Sequence, residues 1–216
     1  MKRHLLFAVL VSCLTACLDS RETTDHKSPK LYDKGVGEQI PFSVATRWAE
    51  SFNAATLAGR TASTFSLEAD ALAHIIDPVN ERLGVVFHHG MDSNKDYRLM
   101  MYALDQDAEL FKNKIVDLAS GQIVDASTAR AWAKQYAESH PATPWYHFFG
   151  RDVFVEIQSK EAFNYIEIVR GLNEELAEQV LLFVYNTKRI AGGKIQGESV
   201  TVYDVSQTCP PCSSVN

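Results

Sequence analysis

The chain has 216 residues, of which 46% are hydrophobic and 22% charged, and its formal net charge is −6. This length accommodates one sizeable domain or two small ones. An acidic chain without a basic cluster argues against a nucleic-acid partner and against a polybasic membrane-binding face.

The N-terminus has the composition of a secretory leader. Lys2, Arg3 and His4 form a short basic head, and residues 5–14 form an apolar run of the length typical of such leaders. Because a helix needs about 20 apolar residues to cross a bilayer, this run is too short to remain as a transmembrane span. Small residues then precede Cys17, so we expect residues 1–16 to be a signal peptide that is removed.

The cleavage region Leu14-Thr15-Ala16-Cys17 resembles the lipobox of bacterial lipoprotein precursors. The resemblance covers the first 17 residues and implies that Cys17 carries a thioether diacylglycerol and an acylated amine, with chains such as palmitate. Several acyl chains together anchor a protein stably to a membrane. Leu18 follows the cysteine where inner-membrane lipoproteins of enteric bacteria have Asp, so the resemblance implies the outer membrane, facing the periplasm or the cell surface. The alternative is a soluble secreted protein with a cysteine near the cleavage site.

The segment 17–39 is polar and shows no regular hydrophobic period, which predicts a flexible tether behind the lipid. A flexible segment of about 20 residues has an r.m.s. reach near 25 Å. We expect the folded domain to occupy 40–208 and the segment 209–216 to form a C-terminal tail.

Helical and strand patterns alternate through the first part of this domain. Apolar residues Val44, Trp48 and Phe52 recur at helical spacing after Ser43, a plausible N-cap. The other predicted elements are a second helix entered through Phe65-Ser66-Leu67 and covering 68–76, a strand at 85–88, a turn at 92–94 and a returning strand at 97–104.

A similar order follows in the second part. Asp125 or Ser127 is expected to cap a helix that stops at His140, before Pro141. The predicted elements after it are a strand at 153–157, a short helix at 160–165 and strands at 166–169 and 180–185.

The two parts align with few gaps, which suggests an internal duplication. Gly90 aligns with Gly171, and Trp48 aligns with Trp132. The sequence therefore predicts an α+β domain made of two related helix–helix–β-hairpin halves, 40–120 and 124–208, packed together with antiparallel sheet. The alternative is that two ordinary α+β segments share a hydrophobic pattern.

Two cysteines remain after Cys13 leaves with the leader and Cys17 is lipidated. They form Cys209-Pro-Pro-Cys212, for which an exported compartment permits a disulfide that closes the tail. Idle thiols, a redox pair and a metal site are the alternatives. A redox pair needs a helix after it, and a zinc site needs two further ligands.

The aromatic segment around residue 145 is the best candidate for a binding site. Trp145, Tyr146 and His147, with Arg151 close by, could bind an envelope protein or a glycan. The alternative is that these aromatic side chains pack in the core. His88 and His89 are expected to point to opposite faces of a strand as a structural pair, since adjacent strand residues do so.

No catalytic signature, such as a nucleophile elbow or a phosphate-binding loop, occurs in the sequence. We therefore expect a non-enzymatic binding or structural module of the cell envelope, with no cofactor and no metal. Two alternatives stay open. One is an envelope hydrolase assembled from His88, His147 and Asp105, and the other is a thiol-redox protein that uses Cys209 and Cys212.

Overall fold

The computed structural model describes residues 32–56, 64–77, 81–159, 163–189, 195–204 and 206–209. Its helices are α1 (Phe42–Ala55), α2 (Ala69–Ile76), α3 (Ala126–Ser139) and α4 (Arg151–Ser159). Its strands are β1 (Glu38–Ile40), β2 (Thr64–Glu68), β3 (Gly84–Met91), β4 (Tyr97–Leu104), β5 (Ile115–Asp117), β6 (Gln122–Val124), β7 (Tyr146–Gly150), β8 (Phe163–Leu172), β9 (Glu178–Arg189), β10 (Ile195–Asp204) and β11 (Gln207–Cys209). The predicted α+β class is confirmed.

The strands form two antiparallel sheets. Sheet A has five strands in the order β1-β10-β9-β8-β2, and sheet B has six in the order β11-β7-β3-β4-β5-β6. Every pairing within them is antiparallel.

The sheets pack face to face with helices outside them. Val85 and Phe87 of β3 share one buried cluster with Ile166 and Ile168 of β8, and α2 and α4 add their apolar faces to it. Helix α3 covers the outer face of sheet B, and α1 covers the outer face of sheet A. Successive side chains on a strand point to opposite faces of its sheet, so each strand contributes both to the layer between the sheets and to the layer under a helix.

The element order β-α-β-α-β-β-β occurs twice, in 38–117 and again in 122–204. The two stretches exchange strands. Strand β2 pairs with β8 in sheet A, whereas β7 pairs with β3 in sheet B. Strands β1 and β6 also pair across the stretches, with β10 and β5. Each sheet is therefore built from both stretches.

The two central hairpins turn in the same way. The Asp92 carboxylate accepts hydrogen bonds from the backbone N–H groups of Asn94 and Asp96, at 2.9 and 3.0 Å. The Asn173 side-chain oxygen accepts the equivalent bonds from Glu175 and Ala177, at 3.0 and 2.9 Å. Lys95 and Leu176 hold the same left-handed position, with φ of 67° and 61°. The predicted turn after β3 is confirmed.

Three elements differ from the sequence prediction. The expected strand at 153–157 is helix α4, whose buried residues Val153, Phe154 and Ile157 follow helical spacing. Residues 163–165, expected to be helical, belong to β8. Phe65-Ser66-Leu67 lies in strand β2, where side chains alternate between buried and exposed.

The starts of α1 and α3 differ from each other. Ser43 was expected to cap α1, but the helix begins at Phe42 after Pro41 and has no side-chain cap. Of the two residues expected to cap α3, Asp125 is the N-cap, because its carboxylate accepts hydrogen bonds from the N–H groups of Ser127 and Thr128.

Packed structure begins earlier than residue 40. Tyr32 is 6% exposed, and its hydroxyl oxygen lies 2.6 Å from that of Tyr146. The N–H of Gly150 donates to the carbonyl of Val36 at 2.7 Å. A Cβ at Gly150 would lie 2.2 Å from the Lys34 carbonyl oxygen, so glycine is required for this close approach. The predicted tether 17–39 is therefore wrong for its last eight residues. At the other end, Cys209 lies in β11, so the domain extends one residue past the predicted boundary.

Candidate functional site

A group of mostly buried polar side chains lies between the two sheets, and Tyr136 of α3 contacts it. We call them together the inter-sheet cluster; its members are His89, Tyr97, Tyr136, His147, Arg170 and Glu178. Arg170 Nε donates to Glu178 Oε1 at 2.7 Å. The Arg170 guanidinium carbon also lies 4.0 Å from the centre of the Tyr97 ring and 4.4 Å from that of Phe52. The cation is thus neutralised by one carboxylate and lies between two aromatic rings.

His89 is at the centre of this cluster. Its Nδ1 lies 2.6 Å from the Tyr97 hydroxyl, and its ring stacks on Tyr136 with centroids 5.1 Å apart. The His147 ring is 5.2 Å away, and His147 Nδ1 lies 3.0 Å from Ser206 Oγ. Burial lowers the pKa of both histidines well below the usual value, and the nearby Arg170 charge adds to the effect. Both rings are therefore neutral near pH 7.

Three atoms of the cluster are buried without a hydrogen-bond partner among the described residues. They are His89 Nε2, His147 Nε2 and Arg170 Nη1. Each such group costs about 1–3 kcal/mol unless an ordered water satisfies it. No group of three or more histidine, cysteine or acidic side chains that could hold a metal occurs in the described parts of the chain. His89 and His147 are 0% exposed and Arg170 is 5% exposed, so a substrate could reach them only if the sheets separated.

His88 points to the opposite face of sheet B, as expected for a structural pair. Its Nδ1 lies 3.0 Å from the Tyr102 hydroxyl, and its ring is 4.7 Å from that of Phe111. Burial lowers the pKa of His88 to about 3.

The three residues suggested for a hydrolase do not converge. His147 pairs with Phe87 across β7 and β3, so both side chains point to the inner face of sheet B. His88 points to the outer face. Asp105 follows the end of β4, where it accepts a hydrogen bond from Arg82. The hypothesis that these residues form one catalytic site is wrong, because a sheet separates the two histidines.

The aromatic segment is mostly buried. Trp145 is 39% exposed, but Tyr146 is 5% and His147 0% exposed in strand β7. The Arg151 guanidinium lies 3.1 Å from the carboxylate of its neighbour Asp152. These side chains do not form one continuous surface, so ligand binding by the set remains a prediction, with Trp145 as its exposed member.

The cysteine predictions lie largely outside the described residues. The backbone of Cys209 pairs with Tyr146 at the end of β11. Cys13, Cys17 and Cys212 are not among the described residues, so the lipid attachment and the disulfide remain predictions.

A groove that the sequence did not predict lies beside β2. We call it the β2 groove, and its volume is about 370 Å³. It is lined by β2 and α2 and by β5, β6 and the residues beside them, and we call this second set its floor. Its lining residues are Ser66, Leu67, Glu68, Ala71, His74, Ile75, Lys114, Val116, Leu118, Gly121 and Ile123.

The groove is mainly apolar and opens to solvent. Ile123 is 65% exposed on its floor, and Val116 pairs with it across the two strands. Lys114 and His74 are exposed beside these residues. The alternation of Lys114, Val116 and Leu118 is the only sequence signal for this floor, and it does not show that β2 leaves the floor uncovered.

None of the helices in the described ranges is long and apolar enough to span a membrane. No protein-family model, curated protein or solved structure matches the chain.

Proposed function

We propose that this protein is a lipid-anchored binding module of a bacterial cell envelope, and that the β2 groove is its binding surface. The single observation that carries the binding role is the open, apolar groove beside the edge of sheet A. The anchor rests on the resemblance of Leu14-Thr15-Ala16-Cys17 to a lipobox.

The groove has the character of a recognition site. Binding sites are typically concave and apolar, with a few polar groups that fix orientation. Leu67, Val116 and Ile123 supply apolar surface, and Lys114 and His74 supply the polar groups. An isoleucine that is 65% exposed gains about 25 cal/mol for each Å² of its apolar surface that a ligand covers.

The anchor is tested by changing the residue that would carry the lipid. In a Cys17→Ser variant we expect the protein to leave the membrane fraction and the acyl mass to disappear from its N-terminus. An unmodified N-terminus in the wild-type protein would remove the membrane part of the proposal.

The binding role is tested by recovery of envelope proteins on purified protein. We expect Ile123→Asp to reduce recovery, because it places a charge on the groove floor. Leu176→Asp is the matched control, since Leu176 is also an exposed apolar residue, at 75%, but lies in the hairpin turn after β8. A Trp145→Ala variant tests the aromatic segment in the same experiment. Equal recovery by all variants would exclude both surfaces.

We also infer that the two stretches of the chain are related halves of an internal duplication. Three matches support this. Both hairpin turns have the same hydrogen bonds, Gly90 lies against Trp132 as Gly171 lies against Trp48, and the two strand exchanges have matching registers. Replacing 92–96 by the sequence of 173–177 should therefore leave the fold intact. Loss of cooperative unfolding would contradict the equivalence of the turns.

A further inference from the structure

The two exchanged strands, β7 in sheet B and β2 in sheet A, differ in what pairs with their outer edges. In sheet B, β7 has β3 on one side and β11 on the other. In sheet A, β2 has β8 on one side, and no described strand pairs with its other edge. One exchanged strand is therefore covered by the chain itself, whereas the other has no strand on its second edge among the described residues and lines the β2 groove with Ser66, Leu67 and Glu68.

The registers show that these two edges are equivalent positions. His147 of β7 pairs with Phe87, and Phe65 of β2 pairs with Ile168. Phe87 and Ile168 occupy matching places in β3 and β8, since Gly90 and Gly171 follow each of them by three residues. Strand β11 therefore occupies the position on sheet B that is vacant among the described residues of sheet A.

The strand pairs that face these two edges from the opposite sheet also correspond to each other. At the β7 edge, Tyr203 of β10 pairs with Gln39 of β1, and Tyr203 is 1% exposed. At the β2 edge, the corresponding pair is Val116 of β5 and Ile123 of β6. A valine replaces the large tyrosine ring, and the space beside it is the β2 groove.

Strand β2 lacks three of the features that protect edge strands, although it is short and ends in Glu68. Its sequence, Thr-Phe-Ser-Leu-Glu, has no proline and no lysine, and its burial alternates regularly without a bulge. Natural edge strands commonly use such features to prevent the addition of another strand. The edge of β2 can therefore accept a further antiparallel strand.

We propose that the β2 groove binds an extended segment of a partner protein, which adds to β2 as an antiparallel strand in the way that β11 adds to β7. This inference deepens the proposed binding role and rests on it, but it does not depend on the lipid anchor. Binding by strand addition uses main-chain hydrogen bonds for affinity and pockets for alternate side chains for specificity.

The chemistry of the segment follows from the alternation in β2. Phe65 and Leu67 face the core, so partner residues opposite them face the groove floor formed by Val116 and Ile123. The segment therefore carries apolar side chains at alternate positions, one of them aromatic to fill the space that Tyr203 fills on the other side. A carboxylate near the exposed Lys114 completes the match.

The experiment is a selection from random ten-residue peptides displayed on phage. The full chain as purified in detergent, with or without lipid, serves as the target, and a Val116→Tyr variant, which fills the groove from within, is used to remove peptides that bind elsewhere. We expect enriched peptides to alternate apolar and polar residues. We also expect hydrogen exchange to slow, when a selected peptide binds, at those backbone amides of 64–68 that do not donate to β8.

Affinity measurements on two further variants complete the test. Ile123→Asp should weaken a selected peptide by about tenfold or more, whereas Leu176→Asp should not. The partner proposal is overturned if no alternating peptide is enriched, or if selected peptides bind Ile123→Asp as tightly as the wild type. It is also overturned if the amides of 64–68 that do not donate to β8 are already protected in the peptide-free chain, by a second copy or by another segment of the same chain. Because the peptide assay does not involve a membrane, a failed anchor in Cys17→Ser and a failed strand site are separate results.

Discussion

The two sheets carry different chemistry on β3 and β8, the strands that have the same place in the repeated element order. In sheet B, β3 carries His89 toward the inter-sheet cluster and His88 toward helix α3. In sheet A, the corresponding residues of β8 are Arg170 and Val169, and the face toward α1 is apolar. Sheet B therefore contains groups that titrate below neutral pH, and sheet A contains a permanent cation. The same backbone arrangement thus tolerates neutral and charged side chains, provided that each has a partner.

The largest expected effect is a loss of stability in acid, caused by sheet B. The folded-state pKa values of His88, His89 and His147 lie below the ordinary value of 6.5. Below that pH the unfolded chain binds protons that the folded chain does not, so stability is lost as the pH falls. Three such groups lower the free energy of unfolding by up to about 4 kcal/mol per pH unit. Urea unfolding between pH 7 and pH 5 measures the slope.

A variant separates this histidine effect from acid sensitivity in general. His88→Phe removes one titrating group from the outer face of sheet B, so the slope should fall by about one third. An unchanged slope in this variant would show that the buried histidines do not control the acid response.

The second effect concerns the permanent charge in sheet A. Arg170→Met leaves the Glu178 carboxylate, 7% exposed, without its cation, and we expect the free energy of unfolding to fall by about 3–5 kcal/mol at pH 7. The double variant Arg170→Met/Glu178→Gln should recover part of this loss. Additive losses from the two substitutions would mean that the pair is not coupled.

The two glycines that face tryptophans give a third comparison. A Cβ at Gly171 would lie 3.1 Å from the Trp48 Cβ, and one at Gly90 would lie 3.2 Å from that of Trp132. Overpacking at such sites costs about 1–3 kcal/mol. We expect Gly171→Ala to be the more destabilising in thermal unfolding, because Gly90 also faces the end of the flexible Met100 side chain. The reverse order would contradict this packing argument.

The smallest expected effects lie in the two hairpin turns. Lys95 and Leu176 both adopt positive φ, which is unfavourable for residues with a side chain. Lys95→Gly and Leu176→Gly should each stabilise the protein by about 0.5–1 kcal/mol in urea unfolding. Ser93→Gly is the matched control in the first turn, and it should give no gain because Ser93 does not have positive φ.

The sequence predicts elements well where a local signal decides them. Strand β4 was placed at its observed limits, and the start of α3 followed from the capping residue Asp125. The prediction failed at α4, where Val153, Phe154 and Ile157 fit both a strand and one face of a short helix. It also failed at β2, because the strand's partner β8 is about 100 residues away along the chain.

For the candidate sites, too, the sequence predicts features that local geometry decides and misses those that depend on tertiary contacts. The opposite orientation of His88 and His89 follows from strand geometry alone. The pairing of Arg170 with Glu178 was not predicted, although both flank one hairpin and are eight residues apart. The β2 groove could not be predicted, because it depends on where one sheet ends over the other.

The contact between Tyr32 and Tyr146 limits the length of the segment that would connect a lipid on Cys17 to the domain. Because Tyr32 is packed in the domain, at most residues 18–31 would separate a lipid on Cys17 from it. Fourteen residues span at most about 50 Å when fully stretched. If both proposals hold, the protein would bind a partner strand only within this distance of the bilayer.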